Sequence, residues 1–285
     1  MGVPPWQVSA LAPLANHAEE SKVLNITPDR FLYIQQLRKR RLQGFCLRNP
    51  EEGMMESVEG AENLLSGMIV NEKLQMLYCM AGATGTDTWE NLLEKVKGED
   101  DVTIETPVVD HLSSNSSVVP AEQSSYNLSV VEKIFRTYTK VVFVREPFER
   151  LISAYLQGDA GELTFDEFLE DVLGSYASED EGNPWKPVVR LCHPCFIKYD
   201  YIVLHDFFRT DVFHLMKRIG IPDHILRPEF SDAQSKLTQK WFAENLFSRL
   251  TREQVEQISE VYRMDLEAFP FHRSLLLKSP IVKPG

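Results

Sequence analysis

Two short stretches carry residue types suited to holding an oxyanion. In KVVFVREPFERLISAY, residues 140–155, an apolar run ends directly on Arg145, with Pro147 two positions beyond the arginine and Ser153 eight. A guanidinium at the end of a buried strand can grip a phosphate through two parallel N–H bonds. Ser153, on the helix that Pro147 is placed to open, can add a hydroxyl. Without a ligand, Glu146 and Arg150 at i, i+4 spacing would form a simple helix ion pair. That pairing leaves Arg145 unexplained, because a charge abutting a buried strand needs a partner. In CMAGATGTDTWE, residues 79–90, Gly82, Gly85 and the hydroxyls of Thr84, Thr86 and Thr88 precede a second helix. Small residues let main-chain N–H groups approach an oxyanion, and a helix N-terminus favours negative charge. Met alone, such a stretch is more often only a turn and an N-cap. It lacks the Gly-Lys-Ser/Thr ending of a Walker loop, which argues against a nucleotide kinase.

Periodicity supplies the elements that must position these residues. LQMLYCM (74–80), KVVFV (140–144) and the YDYIVLHDF stretch (199–207) read as buried strands. Residues 29–48 read as an amphipathic helix whose Arg38, Lys39, Arg40 and Arg41 form a solvated basic face. A further helix carries Trp89, Leu92, Leu93 and Val96. Capping boxes at Ser129/Glu132, Thr164/Glu167 and Thr251/Gln254 start three more. Residues 49–72 read as a connector, 99–128 as a long surface loop and 175–198 as irregular. Strands alternating with helices predict an α/β fold, a three-layer, mostly parallel sheet flanked by helices. Such sheets bind ligands beyond the carboxyl ends of their strands, where both stretches lie. The expected organisation is a tail over 1–28, one domain over 29–277 and a short tail over 278–285.

Composition narrows the classes. The 285 residues are 43% apolar and 25% charged, ordinary for a globular protein, and the net charge of −12 disfavours a general nucleic-acid binder. No run approaches the roughly 20 apolar residues of a membrane-spanning helix. The N-terminal stretch has neither signal-peptide nor myristoylation character, so the chain as written is expected to be soluble. Cys46, Cys79, Cys192 and Cys195 are compatible with two disulfides or four thiols. The single CHPC pair lacks the second ligand pair of a zinc site, so no metal is expected. Sequons at Asn25, Asn115 and Asn127 lean toward a secretory lumen and a glycoprotein. His111 and His193 are the available candidate bases; a loop histidine is the commoner reading of each.

TYTKVVFVREPFERLISAY resembles the 3′-phosphate-binding segment of the Golgi carbohydrate sulfotransferases, the group with the chondroitin, dermatan and N-acetylgalactosamine 4-O-sulfotransferases. WKPVVRLCHPCFIKYDYIVLHDF is similar to that family's W-x-P, Leu-Cys-x-Pro-Cys and Lys-Tyr-Asp-Tyr-Ile block. LTREQVEQISEVYRMDLEAFPF resembles its C-terminal helix, and RKRRLQGFC its first basic segment. The resemblance implies a nucleotide-kinase-like, P-loop-related sulfotransferase fold. It also implies transfer of a sulfuryl group from 3′-phosphoadenosine 5′-phosphosulfate to a glycan or proteoglycan hydroxyl. Arg145 and Ser153 match the residues that bind the donor's 3′-phosphate, and Thr84, Gly85, Thr86 and Thr88 fall in its 5′-phosphosulfate loop. Family members are usually held in the Golgi membrane by an N-terminal helix that this chain, as written, lacks.

The chain departs from the family pattern at several positions. Gly82 and Ala83 stand where the family carries a Pro-Lys pair, and that lysine steadies charge on the phosphosulfate. Glu90 replaces a usual lysine, and Asp87 adds negative charge. Pro184-Trp185 stands where the family often has His-Trp, and LQGDAGEL replaces a longer basic insert. Two readings follow. One is a divergent sulfotransferase in which another cation, such as Lys95 or one from the basic helix, replaces the missing lysine. The other is an inactive relative that keeps the 3′-phosphate site and binds nucleotide, glycan or a partner protein.

Overall fold

The computed structural model describes residues 26–53, 68–84, 86–98, 119–120, 128–177, 184–222, 226, 244–271, 274 and 276. Its centre is a five-stranded sheet in the order β3-β1-β2-β4-β5. The strands are β1 (Met68–Asn71), β2 (Met76–Met80), β3 (Val119–Pro120), β4 (Thr139–Val144) and β5 (Tyr201–Leu204). Strand β4 lies parallel to β2, with Met80 opposite Phe143, and parallel to β5, with Val144 opposite Leu204. The three carboxyl ends therefore share one edge. The α/β class holds, while the sheet is mixed: β1 runs antiparallel to β2 and to the two-residue β3. Strands β1 and β3 lie in stretches that read as connector and loop, because four and two residues are too few to show a period.

Alternation along the parallel strands builds two cores. Met76, Tyr78, Val141, Phe143 and Val203 face helices α2 (Thr86–Gly98) and α8 (Phe208–Arg218), packing against Trp89, Leu92, Leu93, Val212 and Leu215. Leu77, Cys79, Val142, Val144, Ile202 and Leu204 face the other way. They meet α4 (Pro147–Gln157), α5 (Phe165–Ala177) and α9 (Arg252–Val261) through Phe148, Leu151, Leu169, Val172 and Ile258. Covering both faces explains why the strands read as continuous apolar runs. Helix α3 (Leu128–Thr137) leads into β4, and the side chain of Ser129 lies outside the described residues. The Thr164/Glu167 and Thr251/Gln254 caps form as expected. Residues 175–198 are more regular than predicted, with single-turn helices α6 (Val188–Cys192) and α7 (Pro194–Ile197). Helix α10 (Arg263–Ala268) follows α9.

Helix α1 (Pro28–Arg48) closes the open edge of β5. Gln35 accepts from Ile202 N at 2.9 Å and donates to its carbonyl at 3.2 Å. Arg38 donates to that carbonyl at 2.7 Å and to Asp211 at 2.5 Å. An edge strand left bare invites pairing with other chains, and here side chains satisfy it instead. Arg38 is thus buried and paired rather than part of a solvated face. All four cysteines are oxidised, as Cys46–Cys195 and Cys79–Cys192.

Candidate active site

Three connections leave the carboxyl edge of the sheet: 81–84 after β2, 145–146 after β4 and 205–207 after β5. Arg145 stands at the end of β4, 4% exposed, and donates to the Ala83 carbonyl at 2.9 Å. Burial pulls its pKa down to about 10, so it remains charged at neutral pH, and the carboxylates of Glu149, Asp206 and Glu146 oppose the fall. Glu149, His205 and Asp206 gather within 4.8 Å of one another at this edge. Pro147 opens α4 as its position predicts, and Glu146 is the N-cap, accepting from Glu149 N at 2.8 Å and from Ser274 Oγ at 2.6 Å. Burial pushes the Glu146 carboxyl up to about 7, against the pull of those hydrogen bonds.

Arg150 does not form the expected helix ion pair with Glu146. Its guanidinium is buried and donates from Nε to the Gly82 carbonyl at 3.0 Å, from Nη1 to the Lys186 carbonyl at 2.9 Å and from Nη2 to the Pro184 carbonyl. Burial lowers its pKa, and Tyr262 and Asp265 act against that. Thr84 is buried too, its hydroxyl donating to the Ala81 carbonyl at 2.6 Å. Three successive carbonyls, of residues 81, 82 and 83, are therefore tied to protein donors. A trans peptide sets each N–H opposite the preceding carbonyl. The bonds from Arg150 and Arg145 thus turn the N–H groups of Ala83 and Thr84 away from the guanidiniums. Ala83 holds a left-handed backbone, φ +60°, unusual without glycine.

The segment after residue 183 is held in the same manner, through main-chain atoms. Besides the two bonds from Arg150, Tyr262 Oη donates to the Trp185 carbonyl at 2.6 Å. Asp265 accepts from Val188 N at 2.8 Å and Val189 N at 2.9 Å. Cys192, at the end of α6, is bonded to Cys79 in β2. His193 follows in a left-handed conformation, and burial, with Arg190 nearby, lowers its pKa. An irregular stretch fixed this thoroughly is suited to presenting side chains in set positions. Neither Arg150 nor this scaffold was visible as a site feature in the sequence; the partners lie 34, 36 and 68 residues from Arg150.

Ser153 is buried on α4, and its Oγ has no hydrogen-bond partner among the described residues. Gly85 and His111 lie outside the described residues, as do the side chains of Thr86, Asp87 and Thr88. Lys95 is exposed, nine residues along α2 from its start, which places it about 14 Å from that end. The basic helix α1 is spent elsewhere: Arg41 donates to the Leu266 and Glu267 carbonyls. Lys39 lines a cavity with Thr139, Asp200 and Tyr201, at the opposite end of the strands. No described helix is long and apolar enough to cross a membrane.

Comparison with known proteins supplies an independent line. Carbohydrate sulfotransferase 11 of Rattus norvegicus is 23% identical over 276 residues, covering 84% of this chain and 76% of its own. Carbohydrate sulfotransferase 9 of Homo sapiens is 24% identical over 270 residues, covering 83% of this chain and 60% of its own. Carbohydrate sulfotransferase 14 of Danio rerio is 26% identical over 230 residues, covering 69% and 60%. No solved structure matches. The sequence model of the Sulfotransferase family matches residues 66–272, a span that takes in all five strands and both anion-type turns; the chain belongs to that family.

Proposed function

We propose that this chain transfers a sulfuryl group from 3′-phosphoadenosine 5′-phosphosulfate to a glycan hydroxyl. The observation that carries the reading is Ser153. A buried hydroxyl without a partner is unfavourable in a finished core, and this one lies on the helix that follows Arg145 and starts at the strand ends where α/β sheets take their ligands. Arg145 and Ser153 hold the donor's 3′-phosphate, and the loop formed by Thr84, Gly85, Thr86 and Thr88 receives the 5′-phosphosulfate. In the reaction, the acceptor oxygen bonds to sulfur as the bond from sulfur to the bridging oxygen breaks. The electron pair stays on the 5′-phosphate, and the acceptor's proton leaves to solvent or a neighbouring base. Positioning and charge neutralisation carry most of such a step, as in phosphoryl transfer. The relatives' names, carbohydrate sulfotransferases, support a glycan acceptor. Two disulfides suit an oxidising compartment such as the Golgi lumen.

Thermal unfolding with 3′,5′-adenosine bisphosphate, against 5′-AMP as control, tests the donor site. A ligand at a hundred times its dissociation constant adds about 2.7 kcal/mol, so a shift of several degrees is expected with the bisphosphate alone, and Arg145→Ala should abolish it. Equal shifts with both nucleotides, or none, would remove the 3′-phosphate site from the reading. Binding without radiolabelled sulfate transfer to any glycan tested would leave a nucleotide-binding relative rather than an enzyme.

A further inference from the structure

The proposed donor loop has Ala83 and Gly82 where its chemistry calls for a positive charge. Three anionic groups of one nucleotide, the 3′-phosphate, the 5′-phosphate and the sulfate, must be met at this edge, and the negative charge on the bridging oxygen grows as the bond to sulfur breaks. Arg145 is one cation, already assigned to the 3′-phosphate. A second is required near residue 82.

Several of the described cations are committed or distant. Arg38 is committed to Asp211 and Ile202, and Arg190 to Glu52. Arg41, Lys39 and Lys95 lie elsewhere, as described above. Arg209 follows β5, a strand further from the loop than β4. Arg150 is buried, and its donors go to three carbonyls. One of those carbonyls belongs to Lys186. A single planar guanidinium thus bonds the main chain of Gly82 at 3.0 Å and of Lys186 at 2.9 Å. The two backbones meet at one guanidinium, and Lys186, half-buried, carries its ammonium on a flexible four-carbon stem.

We propose that Lys186 supplies the positive charge that the loop lacks, and that Arg150 is the positioning residue that brings it there. The inference rests on the sulfuryl-transfer reading of the site. It places the cation on the neighbouring segment rather than on the loop itself. Tyr262 and Asp265 keep that segment from drifting, because they hold the residues on either side of Lys186. The ammonium neutralises the 5′-phosphosulfate and then the electron pair left on the 5′-phosphate after sulfur departs; it takes no part in the proton's transfer.

The test is calorimetric binding of three nucleotides to the folded chain: 3′-phosphoadenosine 5′-phosphosulfate, 3′,5′-adenosine bisphosphate and adenosine 3′-monophosphate. Lys186→Met should weaken the first two about tenfold or more and leave the monophosphate, which has no 5′ group, unchanged. Arg150→Lys should show the same pattern more weakly. Adding Ala83→Lys to the Lys186→Met chain should restore the two lost affinities. A merely structural role would lower all three together and would not be rescued. Equal affinities in wild type and Lys186→Met, with Arg145→Ala still weakening all three, would overturn the role of Lys186 alone. A wild-type chain that binds none of the three would bring down the donor-site reading and this inference with it.

Discussion

A hydroxyl enclosed without a partner is a small liability in a protein interior, and Ser153 therefore separates stability from function. Ser153→Ala removes no hydrogen bond found among the described residues. Its unfolding midpoint in the absence of nucleotide should stay level or rise slightly. Affinity for 3′,5′-adenosine bisphosphate should fall about tenfold, the loss of one hydrogen bond to a charged group. A variant that is destabilised by more than about 1 kcal/mol and binds as well as wild type would make the serine a packing residue. Arg145 and Ser153 were legible as candidates because a strand-end charge and a Pro-led helix are local signals. Arg150 was not. Its local signal was the i, i+4 spacing to Glu146, while its actual partners are main-chain oxygens, which every residue type carries and no sequence pattern marks.

At the level of elements, the long buried strands and the well-capped helices could be read directly. Their apolar runs are long enough to show a period, and Thr164/Glu167 and Thr251/Gln254 are local chemistry. Strands β1 and β3 escaped because they take their form from pairing with a neighbour distant in sequence. Cysteine pairing was equally out of reach, since spacing alone does not fix connectivity. The bonds close spans of 149 residues for Cys46–Cys195 and 113 for Cys79–Cys192. Loops of that size restrict the unfolded chain strongly, and removal of one bond typically costs about 2–5 kcal/mol. Replacing Cys79 and Cys192 together with alanine should lower the denaturant midpoint accordingly without changing the fold reported by circular dichroism. Four titratable thiols in the oxidised protein, or unchanged stability on reduction, would contradict the pairing.

Across the whole molecule, buried carboxyls set an unusual pH response. Burial raises Glu146 to about 7 and Asp211 and Asp265 to about 6. An acid with a raised folded value stabilises the fold fully below its unfolded value, and that contribution is lost as pH rises through the folded value. Stability should thus decline between about pH 4 and pH 7 as the protons that the fold retains are lost. His193 and His214, both lowered by burial, act in the opposite sense below about pH 6.5. Comparing wild type with Glu146→Gln isolates the carboxyl: the variant's advantage should grow between pH 5 and pH 8 in chemical denaturation. A constant difference would show that Glu146 carries no such proton. The three-layer architecture followed from alternation of strands and helices, whereas the scaffold around residues 184–189 depended on contacts made only after folding. That scaffold has an evolutionary consequence. Because Arg150, Tyr262 and Asp265 hold it by carbonyls and amides, with the Trp185 ring packed on Phe168, the side chains at 184 and 186 can change without dismantling it. Descendants of one ancestral fold can therefore trade one acceptor for another, or relocate a charge from one loop to its neighbour, by single substitutions that leave the frame intact.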